Sequence, residues 1–166
     1  MFELKTLSRE AVPRALEKAE RYRLLNEPVE AESICLDVLE IDSANQNALV
    51  ILLLALTDQF DETLADAAKR AQDVLPRLAS EYERCYYAGI IWERRARAQM
   101  KRGRPGSGYA AYDSFREAMG WYGKAEAVRP AGNDDALLRW NACVRLLQRA
   151  PQVAPGPPEP GELPLE

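Results

Sequence analysis

The side chains with chemical reach are unevenly supplied in this chain. Histidine is absent from all 166 residues. That removes Ser-His-Asp and Cys-His catalysis and every histidine-ligated metal site. Cys35, Cys85 and Cys143 lie far apart, in no paired spacing. They read as reduced thiols of a cytosolic protein, and three thiols without further ligands make no zinc site. Gly103 and Gly108 in GRPGSG have the spacing of two glycines of a phosphate-binding loop. Tyr109-Ala110 stands where that loop needs Lys and Ser or Thr, and no strand precedes it, so the segment reads as a turn. No convergent set of polar groups suggests a catalytic pocket. The expectation is a non-catalytic protein with no cofactor and no metal.

What remains is charge. Arg94, Arg95, Arg97, Lys101, Arg102 and Arg104 form a basic cluster in a chain of net charge −4. Such a cluster could attract an acidic partner, RNA or anionic lipid, and Trp92 and Tyr109 nearby could stack on bases. The bland reading is a solvated helix end whose cations oppose the helix dipole. The acidic run Glu30, Glu32, Asp37 and Glu40 reads as a solvated face. Pro155-Gly156-Pro157-Pro158 and Pro157-Pro158-Glu159-Pro160 are PxxP-like, weak signals for SH3 or WW partners beside the plainer reading of a linker.

Helices must position these residues. Hydrophobic residues at 47% and charged residues at 29% fit one globular domain with a real core. Asn47–Leu56 is apolar on every side yet too short for a bilayer, which needs about 20 residues, so it reads as a buried central helix. Around it the periodicity predicts helices from about Val12 to Leu25, then Val29–Ile41, Glu62–Leu75, Glu81–Arg102, Tyr109–Ala127 and Asp135–Arg149. Pro13 and Pro28 suit first turns, and Pro76 ends a helix. Asp61, Ser80 and Asn133 or Asp134 are candidate caps, and the turn Asp42-Ser43-Ala44-Asn45 holds another. Leu137, Trp140, Val144 and Leu147 share one face of the last helix. The end of Glu81–Arg102 is polar and expected to project beyond the core. Residues 1–150 read as one helical domain and 151–166 as a proline-rich disordered tail. MFELKTLSRE lacks the basic-then-apolar pattern of a secretory signal, which favours a cytoplasmic protein. Seven helices joined by short turns give an all-α array of antiparallel hairpins.

The array resembles the tetratricopeptide repeat family, whose unit of about 34 residues reads W-x2-L-G-x2-Y, then A-x3-F, then P. In Val12–Asn45 the matching positions hold Ala15, Lys18, Ala19, Tyr22, Ala31, Cys35, Val38 and Ser43, with Lys18 and Ser43 departing. The unit from Gln46 offers Leu49, Leu52, Leu56 and Ala65, but Leu53 fills a small-residue position and Lys69 an aromatic one. The third carries Cys85, Ala88, Gly89 and Trp92, then Ala118, Tyr122, Ala125 and Pro130, on helices lengthened around GRPGSG. Ala136, Trp140 and Cys143 suit a capping helix. The resemblance spans about Val12–Arg149. It implies a solenoid of about three hairpins plus a C-terminal cap, because one hairpin cannot bury its apolar face alone.

It also implies a role. Tetratricopeptide domains bind peptides or protein surfaces in a groove lined by the first helix of each pair. Groove positions here would be Leu16, Glu20 and Arg23, then Asn47, Val50, Leu54 and Thr57, then Glu83, Tyr86, Ile90 and Glu93. Leu, Val and Tyr at several of these disfavour the carboxylate clamp of chaperone-binding members. The expectation is a protein-interaction adaptor or scaffold with a mostly apolar groove for a protein or peptide, such as an apolar helix. Tyr86, Ile90 and Leu54 equally fit plain core. RNA binding through Arg94–Arg104 is the alternative, and a homodimer through the groove or the long helix stays open.

Overall fold

Proline, asparagine and serine punctuate this chain at its helix ends. The computed structural model describes residues 1–157 and holds seven α-helices with no strand among them. A 3-10 turn at Arg9–Ala11 leads into α1, Val12–Leu24, with Pro13 in its first turn, where no amide partner is lost. Asn26 takes the left-handed conformation (φ 60°) and turns the chain into α2, Pro28–Ile41. Asn45 caps α3, Gln46–Thr57, its side chain accepting from the Ala48 amide at 2.9 Å. Ser80 caps α5, Glu81–Arg102, accepting from the Glu83 amide at 3.2 Å. Gly103 (φ 57°) and Gly106 (φ 80°) make the left-handed turn into α6, Ser107–Ala127. Before α7, Asp135–Arg149, it is Asn133 rather than Asp134 that accepts an amide hydrogen bond, from Asp135 at 3.0 Å.

The fourth helix departs from expectation. α4 runs Phe60–Val74, starting ahead of Asp61, which does not cap it. Non-helical torsions at Thr63 (φ −131°, ψ 47°) break its first turn, so the continuous part starts at Leu64.

Consecutive helices pack against one another in chain order. α1 also touches α3, and α3 touches α5, so these three helices form a layer of their own. Eight of the twelve residues of α3 are buried, and this helix centres a core that includes Cys35, Val38, Phe60, Ala71 and Leu78. A second core surrounds α6, with Phe115, Ala118 and Tyr122 against Ile90, Ala136 and Cys143. Each fully buried Leu or Phe contributes about 1.5–3 kcal/mol. α5 serves both cores, giving Ile91 and Ala98 to one and Ile90 and Ala96 to the other. Gly89 lets α6 approach closely: a Cβ there would lie 2.6 Å from Tyr122 Cδ1.

Three expectations are corrected by this packing. The end of α5 does not project, because Ala96 and Ala98 are buried and Met100 is half-buried. The buried stripe of α7 is Ala136 and Cys143, whereas Trp140 is exposed. The segment after Arg149 is ordered at its start: Val153 is only 5% exposed and packs in the second core. Residues 158–166 of the expected tail lie outside the described residues.

Candidate functional site

Helical spacing divides the basic cluster into two faces. Arg94, Arg97 and Lys101 fall three and four residues apart, on one side of α5. Arg95 and Arg102, seven apart, fall on another, and Arg104 lies exposed in the loop after α5. The first trio faces a cleft of about 450 Å³ between the odd-numbered helices. Arg23 of α1 enters it from one side and Arg139 of α7 from the other. Thr57, Asp58, Phe60 and Asp61 close the α3–α4 end, and Glu93 lies in its wall.

Each carboxylate in the cleft is held by cations. Asp58, just past the end of α3, accepts from Arg23 Nε at 2.8 Å and is also paired with Arg94. It thereby ties α1 to α5. Glu93 is 1% exposed. It accepts from Arg97 Nε at 3.1 Å and Nη2 at 3.0 Å, and from the Tyr122 hydroxyl at 2.7 Å. Arg139 Nη1 lies 3.6 Å from it. A buried carboxylate needs this many partners, because an unpaired one would cost several kcal/mol. Lys101 pairs with Asp61 at the exposed rim.

The electrostatic consequences are consistent. Burial and then the Glu93 carboxylate push the Tyr122 hydroxyl far above its ordinary range, so it stays a hydrogen-bond donor. Burial acts to lower Arg139, but Glu93 and the Tyr122 and Tyr86 hydroxyls outweigh it and hold the guanidinium above its ordinary value. Five cationic and three anionic side chains line the cleft. A guanidinium has five N–H donors, so Arg23, Arg94 and Arg97 keep donors to spare after serving one carboxylate each. The arrangement can hold an anion. Among the described residues, no group of three or more Cys, Asp or Glu side chains is placed to hold a metal ion.

Of the expected groove residues, Arg23, Thr57 and Glu93 line the cleft. Leu16 and Ile90 are core instead. Val50 and Leu54 are half-buried against it. Tyr86 is half-buried, its ring centre 5.8 Å from that of Tyr82 and 6.0 Å from that of Tyr122. Glu20 and Asn47 are exposed and Glu83 half-buried, away from the cleft. The cleft is mainly charged where a mostly apolar groove was expected: Leu16 and Ile90 turn into the cores, Val50, Leu54 and Tyr86 stay half-buried outside the cleft, and arginines reach into the space. Sequence reasoning missed Asp58, Asp61 and Arg139. Asp61 stood only as a candidate cap, and nothing around Asp58 marked it. Arg139 had a signal: it sits on the turn between Ala136 and Cys143, the small residues of the α7 stripe. Trp92 is occupied, with the Arg95 guanidinium 5.0 Å from its ring centre, and Tyr109 lies against Gly156.

Among the described residues no helix is long and apolar enough to cross a membrane. No protein-family model, curated protein or solved structure matches the chain.

Proposed function

We propose that this chain is a protein-interaction module of tetratricopeptide-like hairpins that holds an acidic segment of a partner protein in the charged cleft. The observation that carries this reading is the excess of cations in the cleft of an acidic chain. Field lines focus in a low-dielectric recess, so two surplus positive charges there count for more than the negative surface around them. The resemblance at Ala19, Ala31, Gly89 and Tyr122 supports the same reading, since such arrays present the first helix of each pair to a ligand. Side chains already paired with carboxylates suit exchange of one carboxylate for another, which is binding rather than catalysis. Leu24, exposed at the rim, offers a partner one apolar contact.

The test is fluorescence anisotropy with a labelled glutamate-rich dodecapeptide, a lysine-rich one and a single-stranded RNA of matched charge. The acidic peptide should bind, salt should weaken it, and Arg94→Gln with Lys101→Gln should cost about tenfold in affinity. Equal binding of the lysine-rich peptide, or indifference to the double substitution, would sink the proposal. Tighter binding of the RNA would put nucleic acid in first place.

A further inference from the structure

The other face of α5 carries a second charged recess, separate from the cleft. It lies between α4 and α5, encloses about 310 Å³, and is lined by Lys69 and Gln72 of α4 and Arg95 and Arg102 of α5, over Leu64, Ala65 and Ala68. Three cations and an amide line it, and no carboxylate does. Lys69 pairs with the exposed Asp73 at 3.2 Å. Among the described residues neither Arg95 nor Arg102 has an acidic partner within ion-pair distance. Arg95 is held in place by Trp92, and its Nε is buried with no hydrogen-bond partner.

We infer that this recess is a phosphomonoester site, with Arg95, Arg102 and Lys69 as its cationic donors and Gln72 as a neutral one. The charge fits: a phosphomonoester carries about −1.5 to −2 at neutral pH and three acceptor oxygens, more than one carboxylate offers to three cations. The shape fits one compact group. A nucleic-acid backbone needs a stripe of cations, whereas Asp66 and Asp73 flank Lys69 on α4, both exposed, and would repel a long polyanion. The apolar floor of Leu64, Ala65 and Ala68 suits the carbon side of an ester. The phosphate source is either a free small ester or a phosphorylated side chain of a protein, since both present the same dianion.

The experiment is amide NMR titration of the whole chain with O-phosphoserine and with a phosphoserine heptapeptide, against sulfate and glutamate at matched ionic strength. Saturable shifts at Ala65, Ala68, Gln72 and Arg95 are expected with the phosphate ligands and not with the controls. A free-ester source gives equal affinity for the two phosphate ligands. A phosphoprotein source gives tighter binding of the peptide. Arg95→Gln should weaken binding about tenfold, and Arg102→Gln, exposed and harmless to folding, about threefold. Arg94→Gln in the cleft should leave it unchanged. Shifts of equal size with sulfate or glutamate, no saturation, or loss on Arg94→Gln rather than Arg102→Gln would each overturn the site.

Discussion

Glu93 shows how one residue sets the demands on its neighbours. Its carboxylate needs Arg97, Arg139 and the Tyr122 hydroxyl, and the Tyr122 ring in turn needs the bare Cα of Gly89. Gly89→Ala should therefore cost about 1–3 kcal/mol of stability, because the buried ring has nowhere to go, although alanine is otherwise the better helix former. Urea unfolding would show it as a lowered midpoint, and a neutral or raised midpoint would mean that the α5–α6 contact is looser than it stands here. Two thiols make a second prediction. Burial raises Cys35 and Cys143 from an ordinary 9.0 to about 12. The unfolded chain ionises these thiols first, so their contribution is complete below pH 9 and is lost as pH rises from 9 to 12. Each thiol in that window should cost about 1.4 kcal/mol per pH unit. Urea midpoints measured from pH 8 to 11 should fall, and fall less steeply in Cys143→Ala. Parallel slopes in the two proteins would refute the assignment.

At the scale of elements, the first turn of α6 is bound by the segment that follows α7. A Cβ on Gly108 would collide with the Gln152 carbonyl oxygen and lie 3.3 Å from its carbon. Gly108→Val should thus expel Ala150–Ala154 and uncover Val153 and Ala111, at a cost of about 1–2 kcal/mol. Limited proteolysis should cut after Arg149 faster in the variant, and equal rates would show that the segment does not seat there. Helix edges were legible where their causes are local: Pro13 and Pro28 fix φ, and Ser80 accepts the amide three residues on. Val153 was not legible, since one valine among prolines has no period to reveal a buried face. The cleft was half legible. The six cations of α5 and its loop stood in the sequence, but which helix face meets Arg23 and Arg139 depends on how α1 and α7 pack. The α7 face was misread for a related reason: Trp140 outweighs Ala136 and Cys143 in apolar area, yet close helix packing selects the small residues.

At the scale of the molecule, two cores meet at a thin junction. Among the described residues only Leu54 and Tyr87 pack against both, while α5 divides its buried residues between them. Charge crosses the same junction in the Asp58–Arg94 and Lys101–Asp61 pairs, so the cleft is also part of what joins α1–α4 to α5–α7. Arrays of this kind gain stability from neighbour interfaces, and weakening one interface should release the two sides to unfold separately. Leu54→Ala with Tyr87→Ala removes the two half-buried side chains that the cores share and weakens the apolar junction, which Ile91 and Ala98 of α5 still span. Hydrogen exchange read by mass spectrometry along a urea series should show peptides from α3 and from α6 opening together in the native chain. In the double variant they should open at separate urea concentrations. A shared transition that only moves to lower urea would mean that the paired charges, together with Ile91 and Ala98, carry the coupling. Raising salt should then separate the two sides in the variant, since exposed pairs such as Lys101–Asp61 are screened within about 10 Å at 0.1 M. An acidic ligand seated between Arg23 and Arg94 would act in the opposite sense. It would bridge α1 to α5 and bring the two transitions back together.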